Sequence, residues 1–338
     1  MDLKSLSRHL GLSQTTVSRA LNGYPEVSEK TRARVVAAAR QLGYRPNPIA
    51  KRLATGRTEL VGIIYPPRAN PLIDPYFQAF VSGIGDHMET AGIDVVIGLA
   101  TSKTELISYR RFVGGGRVDG LIVAEMRRRD ERVAYLAKSG MPFVAHGRTD
   151  VDADYAWLDI DNEGGFFAAT EHLIRLGHRR VAFLNGLPEF TFASHRFAGY
   201  RNAHRKAGLK LSSDLVISGP MTEEWGFAEA RRLFLKAAPP TAILCAGIFT
   251  AKGVYRAIAE SGLSVPRDVS IISHDDHVEG FGPNDLSPAL TTVDQPLRNA
   301  GRQIARMLLE RVNGKPIDEL QVLWSTSLIV RASTASPG

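Results

Sequence analysis

From Leu60 onward the sequence alternates short apolar runs with longer amphipathic stretches, and this alternation constrains the fold more than any other feature. The runs are LVGIIY, DVVIGLA, GLIVA, PFVAHG, RVAFLNG, TAILCAG, VSIISHDD and LTTVDQP. Between them lie stretches with helical spacing, such as YFQAFVSGIGDHMETAG, EGGFFAATEHLIRLG and TAKGVYRAIAESG. Short apolar runs read as strands buried on both faces. Their regular alternation with helices reads as a parallel, doubly wound sheet. About eleven strands are too many for one compact sheet. Two similar α/β halves with a cleft between them are therefore expected. Ligands of such folds bind at the carboxyl ends of strands, so the informative polar residues are those just after the apolar runs.

The first 59 residues follow another pattern. LKSLSRHL places Leu3, Leu6 and Leu10 on one helical stripe, and Gly11 supplies the backbone freedom for a tight turn. Ser13 is placed to cap a second helix, QTTVSRALN, with Val17, Ala20 and Leu21 on its apolar face. Ser28 is placed to cap a third, EKTRARVVAAARQLG, with Val35, Val36, Ala39 and Leu42 inward. Two short helices across a glycine turn, with a third packing on both, form a helix-turn-helix. Charge agrees with this division. The first 60 residues hold 11 of the 42 Lys and Arg and 4 of the 35 Asp and Glu, leaving 31 of each in the remainder. The whole net charge of +7 thus sits on the N-terminal module, which points to a polyanionic partner for that module alone.

In a helix-turn-helix the start of the second helix meets base edges in the major groove. Here those residues are Gln14, Thr15 and Thr16, with Arg19 one turn on. Gln suits adenine, Arg suits guanine, and Thr suits a base edge or a thymine methyl. Ser13, Ser18, Asn22, Tyr24, Ser28 and Thr31 are suited to phosphate contacts, and for Ser13 and Ser28 plain capping is an equal reading.

Taken together, SLSRHLGLSQTTVSRALNG and VSEKTRARVVAAARQLGYRPNPIAKRLATG resemble the LacI/GalR family of bacterial transcription regulators. Ser5 departs from the acidic residue frequent there. The resemblance implies a helix-turn-helix domain at 1–46, a hinge helix and linker at 47–59, and an effector-binding and dimerisation core at 60–331. RPNPIAKRLATG has a helix start in Asn47 and Pro48 yet is too short to be stable alone. The resemblance makes it a helix that forms on DNA, with Leu53 wedged into the minor groove, Ala50 against the groove floor, and Lys51 or Arg52 at phosphates. Folding of such a marginal helix is coupled to its partner helix and the DNA.

For the core, the resemblance implies a periplasmic-binding-protein-like pair of parallel-sheet subdomains joined by three crossovers. They are expected at 60–160 with 291–319, and at 161–290 with 320–331. Residues 332–338 are expected to be a disordered tail. SHRFAGY resembles the segment that sends an arginine into the cleft, here Arg196. SHDDH resembles the segment that supplies an effector-binding carboxylate, here Asp275. DPYF resembles the start of the first core helix, where Tyr76 or Phe77 would form an apolar wall or simply core. HGRTD places His146, Arg148 and Asp150 at a strand end, DIDNEGG places Asp161 and Asn162 before a helix, and Trp157 is equally a sugar-stacking ring or a core residue. Ala246-Gly247-Ile248 departs from the Ala-Asn-Asp common in the family, so the usual cleft asparagine has no side-chain equivalent. Two arginines would suit an acidic ligand, whereas Asp275 with Arg196 suits neutral polyols equally well. An α-glucoside or other disaccharide is the expected effector.

Other classes fit less well. There is no phosphate-binding loop, dinucleotide fingerprint or nucleophile elbow, so no enzyme and no cofactor is expected. A metal site at SHDDH is not expected, because adjacent side chains on a strand end diverge. MDLKSLSRHL lacks an apolar signal core, no run of about 18 apolar residues occurs, and Cys245 is the only cysteine. A cytoplasmic bacterial protein is expected, nucleoid-associated when bound to a palindromic operator, acting as a homodimer with no membrane partner. No leucine heptads follow Arg331, so a tetramerising tail is not expected.

Overall fold

The computed structural model describes residues 2–44, 56–65, 74–101, 103–275, 278 and 280–338. It divides into two compact units, Met1–Thr58 and Glu59–Gly338.

In the first unit α1 spans Leu3–Leu10, α2 Gln14–Leu21 and α3 Glu29–Gln41. Each start has a side-chain cap: Asp2 accepts from the Ser5 amide, Ser13 from Thr16 and Ser28 from Thr31. Each cap satisfies an amide that has no partner within the helix. Gly11 ends α1 at φ 63°, in the left-handed region that glycine adopts without strain. Leu6, Leu10, Val17, Ala20, Val27, Val35 and Ala39 make the core, with Leu3, Leu21 and Leu42 at its edge. Val36, expected inward, lies outside this cluster.

The second unit has two lobes, each built on a six-stranded sheet. Lobe one contains β1 (Leu60–Tyr65), α4 (Pro75–Ala91), β2 (Asp94–Leu99), α5 (Glu105–Gly114), β3 (Gly120–Val123), α6 (Glu131–Ser139), β4 (Phe143–His146) and β5 (Ala156–Ile160). Lobe two follows with α7 (Asn162–Arg175), β6 (Val181–Asn185), α8 (Thr191–Lys206), β7 (Val216–Ser218), α9 (Glu223–Phe234), β8 (Ala242–Cys245), α10 (Ile248–Glu260), β9 (Ser270–His274) and β10 (Thr291–Asp294). The chain then returns to lobe one for α11 (Leu297–Val312) and β11 (Gln321–Trp324), and ends in lobe two with β12 (Ser327–Ile329). Sheet order is β11-β5-β4-β3-β1-β2 and β12-β10-β9-β8-β6-β7. Among the described residues, the strand ladders are all parallel except that of β12 with β10.

Strand alternation divides each core in two. In β1, Val61 and Ile63 face α4 and α11, whereas Ile64 faces Tyr109 and Phe112 of α5. In β6, Leu184 faces the α9–α10 side and Phe183 the α7–α8 side. Helices α4 and α11 cross with backbones in contact. A Cβ on Gly83 would overlap the Arg298 carbonyl, and one on Gly301 would overlap that of Phe80.

Two expectations need correction. Residues 291–294 were expected in lobe one and 320–324 in lobe two. Instead β10 pairs with β9 in lobe two and β11 with β5 in lobe one. Both crossovers fall after these strands rather than before them. The apolar runs alone do not specify which sheet supplies the neighbouring ladder. The tail is also ordered. Ser333 is fully buried; its hydroxyl donates to the Ile271 carbonyl at 2.6 Å and accepts from the Thr291 amide at 2.7 Å. The Ala335 amide donates to Ser270 Oγ at 3.0 Å, and its carbonyl lies 2.9 Å from His178 Nε2. Small polar composition reads as disorder, but buried Ser270, Thr291 and His178 require hydrogen-bond partners, and the tail supplies them.

Candidate functional site

In the N-terminal unit Gln14, Thr15 and Arg19 lie exposed along α2, and Thr16 is half-buried. The Thr16 hydroxyl lies 2.8 Å from Ser13 Oγ, which also accepts the Thr16 amide. Ser28 and Thr31 repeat this pairing at α3. Asn22 Nδ2 donates to the Ser18 carbonyl at 2.9 Å and closes α2. Tyr24 offers its carbonyl to Arg32 at 2.9 Å. Several groups read as phosphate donors thus also hold the helix ends in place. The hinge residues Asn47, Ala50, Lys51, Arg52 and Leu53 lie outside the described residues.

Between the lobes lies a cavity of about 950 Å³ including its open mouth. It stands at the carboxyl ends of the strands, as doubly wound topology dictates. Lobe one lines it with Tyr65, the first turns of α4 (Tyr76, Phe77, Phe80), Glu125 and Met126 after β3, His146 at the end of β4, and Asp159 on β5. Lobe two contributes Asn162, Thr191, Phe192, Arg196, Met221 and Asp275, and the crossover adds Gln295.

Arg196, on α8, is 5% exposed, and three partners fix its planar fork. Nε donates to Asn162 Oδ1 at 2.7 Å and Nη1 to the Ala246 carbonyl at 2.7 Å; Nη2 lies 3.0 Å from His274 Nδ1. The guanidinium also packs on the Phe166 and Phe192 rings, 5.2 and 4.7 Å from their centroids. Burial draws its pKa down to about 10, against the opposing pull of Asp275, so it stays charged at neutral pH. His274 Nδ1 is also 2.8 Å from Asp275 Oδ1, so one ring nitrogen lies between the guanidinium and the carboxylate and, in the neutral ring, bonds only one of them. Burial, then the Arg196 charge, lowers the His274 pKa and keeps the ring neutral. Asp275 has φ 71°, a left-handed conformation that aspartate tolerates better than most residues, and its amide donates to the Val293 carbonyl.

His146 stacks on Phe80 with centroids 4.9 Å apart. Burial lowers its pKa to about 4, with Asp159 pulling the other way, so it too is neutral. A buried ion cluster holds the lobe-one loop. Arg132 pairs with Glu105 at 2.5 Å and with Asp130 at 2.6 Å, and donates to the Glu125 carbonyl at 2.9 Å. Burial alone would raise the Asp130 pKa, but Arg132 outweighs it and holds the carboxyl below its usual range. The loop then reaches lobe two, where the Met126 carbonyl accepts from the Thr191 amide at 2.9 Å.

Of the residues expected from sequence, Arg196, Asp275, Tyr76, Phe77 and His146 line the cavity. Arg148, Trp157 and Asp161 do not. Arg148 turns outward, bonds Asp159 Oδ2 at 2.7 Å and lies over the Trp157 ring at 5.2 Å. Trp157 stands two residues short of Asp159 on its strand, below the level a ligand at the strand ends reaches. Asp161 is spent as a helix cap, accepting from the Gly164 amide at 2.8 Å. Its neighbour Asn162 enters the cavity instead. Glu125 directly follows GLIVA and Gln295 lies at the end of LTTVDQP, so both were within reach of the strand-end rule, and Asn162 stands beside Asp161 in DIDNEGG; Asp159 and Phe192 had no such signal. Asp276 and His277 lie outside the described residues.

Comparison with known proteins agrees with this architecture. Residues 3–47 match the model of bacterial regulatory proteins of the lacI family, and 170–334 match a periplasmic binding protein-like domain. The HTH-type transcriptional regulator AglR of Rhizobium meliloti (strain 1021) is 42% identical over 335 residues, covering 99% of this chain and 94% of that protein. A transcriptional regulator CelR–cellobiose complex is 30% identical with TM-score 0.73, covering 98% and 99% of the two chains. A Lac repressor dimer bound to operator and the anti-inducer ONPF is 26% identical with TM-score 0.85, covering 99% of each. The chain belongs to the LacI family and is a DNA-binding transcriptional regulator with an effector-binding core.

Proposed function

We propose that the protein is a dimeric repressor of a two-fold symmetric operator, acting in the cytoplasm without catalytic activity, and that a neutral saccharide in the cleft sets its DNA affinity. One observation carries the choice of ligand class. Among the described residues, the cavity lining holds four carboxylates, Asp74, Glu125, Asp159 and Asp275, against one guanidinium, that of Arg196. Arg196 already faces Asp275, and Arg148 is engaged with Asp159. A phosphate or sugar acid would enter a field of its own sign, whereas neutral hydroxyls can donate to carboxylates and accept from the arginine fork. Tyr65, Phe77, Phe80 and Phe192 offer apolar faces for sugar C–H surfaces. The cellobiose-bound relative supports the same class.

Gln14, Thr15, Thr16 and Arg19 are the proposed base-reading residues, and Leu53 the proposed minor-groove wedge. A ligand that favours one inter-lobe angle changes operator affinity through its differential affinity for the two forms. The test is thermal shift of the full-length protein with neutral disaccharides, their phosphates and uronic acids. Stabilisation by a neutral sugar supports the reading. Stabilisation by the anionic sugars alone refutes it.

A further inference from the structure

We propose that Tyr76 is the latch between the lobes and reads the effector alongside Asp275, its phenol standing where a side chain at position 247 would otherwise stand. This rests on the saccharide reading of the cavity for the role in recognition, but not for the latch.

Tyr76 belongs to the first turn of α4 in lobe one, yet its ring packs into the apolar core of lobe two. It meets Phe249 edge-on with centroids 5.7 Å apart. A Cβ built on Gly247 would lie 2.5 Å from the Tyr76 hydroxyl and 3.5 Å from Asp275 Oδ2. The phenol and the carboxylate therefore converge on the space above one glycine. Gly247 has φ −161° and ψ 157°, an extended backbone open to any residue. It is also the N-cap of α10, where Asn, Asp or Ser would normally be favoured. The backbone conformation does not require glycine there, and capping accepts glycine without demanding it. The demand is for space, and the occupant of that space is Tyr76.

The consequence concerns how the cavity is completed. The wall beside Asp275 is furnished by a side chain from the opposite lobe, so it is complete only while the lobes are closed. Opening the cleft withdraws the Tyr76 ring from Phe249 and Gly247 together. A saccharide hydroxyl bound beside Asp275 in the closed form also meets the phenol, and its binding favours closure.

The experiment uses the full-length protein and Y76A, Y76F, G247A and Y76A/G247A. In thermal unfolding without ligand, G247A is expected to lower Tm by about 3–6 °C in the wild-type background and by less than half of that in the Y76A background. Strict additivity of the two substitutions would overturn the latch, because it would mean that the two sites do not share the space. In the second arm, cellobiose, maltose, sucrose and melibiose are titrated against wild type, and the one bound is titrated against Y76F. An affinity loss of about tenfold is expected for the missing hydroxyl. Unchanged affinity would overturn the recognition role. A wild type that binds none of the four would count against the saccharide reading and remove recognition with it, and the ligand-free cycle would still decide the latch.

Discussion

Replacing Arg196 with methionine separates the sensor from the DNA reader more cleanly than any other single change. Methionine keeps much of the buried length but removes every donor. Asn162 Oδ1 and the Ala246 carbonyl then lose bonds of 2.7 Å each, and the cation facing Asp275 disappears. Breaking a buried charged pair from one side costs about 3–5 kcal/mol. Some of that is returned by the lost desolvation of the guanidinium and by packing of the thioether between Phe166 and Phe192. With about 3 kcal/mol of the loss remaining, the melting temperature is expected to fall by about 6–12 °C, at about 2–4 °C per kcal/mol for a body of this size. Operator binding at about 20 °C, measured by fluorescence anisotropy, should remain within about threefold of wild type, an energy difference under about 1 kcal/mol. The sugar-dependent change in that affinity should vanish. Adding D275N should recover part of the lost stability, since the amide removes the stranded charge and asparagine tolerates the same left-handed backbone. A Tm within about 2 °C of wild type together with an intact sugar response would refute the role assigned to Arg196.

Three further outcomes follow from the geometry. Truncation after Arg331 removes the partners of Ile271, Thr291, Ser270 and His178, and calorimetry should show a loss of about 2–4 kcal/mol, or an early melting lobe. Acid should destabilise the core through His146. Its folded pKa, about 4, lies below its ordinary 6.5, so the folded state favours the neutral ring. That contribution is complete above pH 6.5 and is lost as pH falls toward 4; denaturant melts should show the decline, and H146F should flatten it. Arg19→Ala should cost about 1–3 kcal/mol on the preferred sequence and relax discrimination at one base pair, read by competition with single-base variants.

Much of this was legible because the signals are local. Helix starts at Ser13 and Ser28 and stripes such as Leu6 and Leu10 need only neighbouring residues, and the three N-terminal helices form where the spacing puts them. The alternation of apolar runs and helices likewise announces two doubly wound sheets. Membership of a strand in one sheet or the other is set by long-range pairing, so Thr291–Asp294 and Gln321–Trp324 were misplaced between lobes. At the site, the family motifs found Arg196 and Asp275, whereas the strand-end rule could not orient Arg148, whose direction depends on Asp159 and Trp157. Gly247 read as the loss of a polar contact. Only its distance from Tyr76 explains it, and that distance links residues 171 positions apart.

Coupling of a sequence-reading α2 to a saccharide in the cleft must show in operator binding. The most direct measurement selects sequences bound by the full-length protein from random DNA, then titrates the winner with neutral sugars and their phosphates at several salt concentrations. A two-fold symmetric site is expected, with affinity that falls steeply with salt through counterion release and a shift caused by a neutral sugar alone. No enriched sequence, or an enriched site whose affinity is indifferent to every neutral sugar, would contradict that coupling.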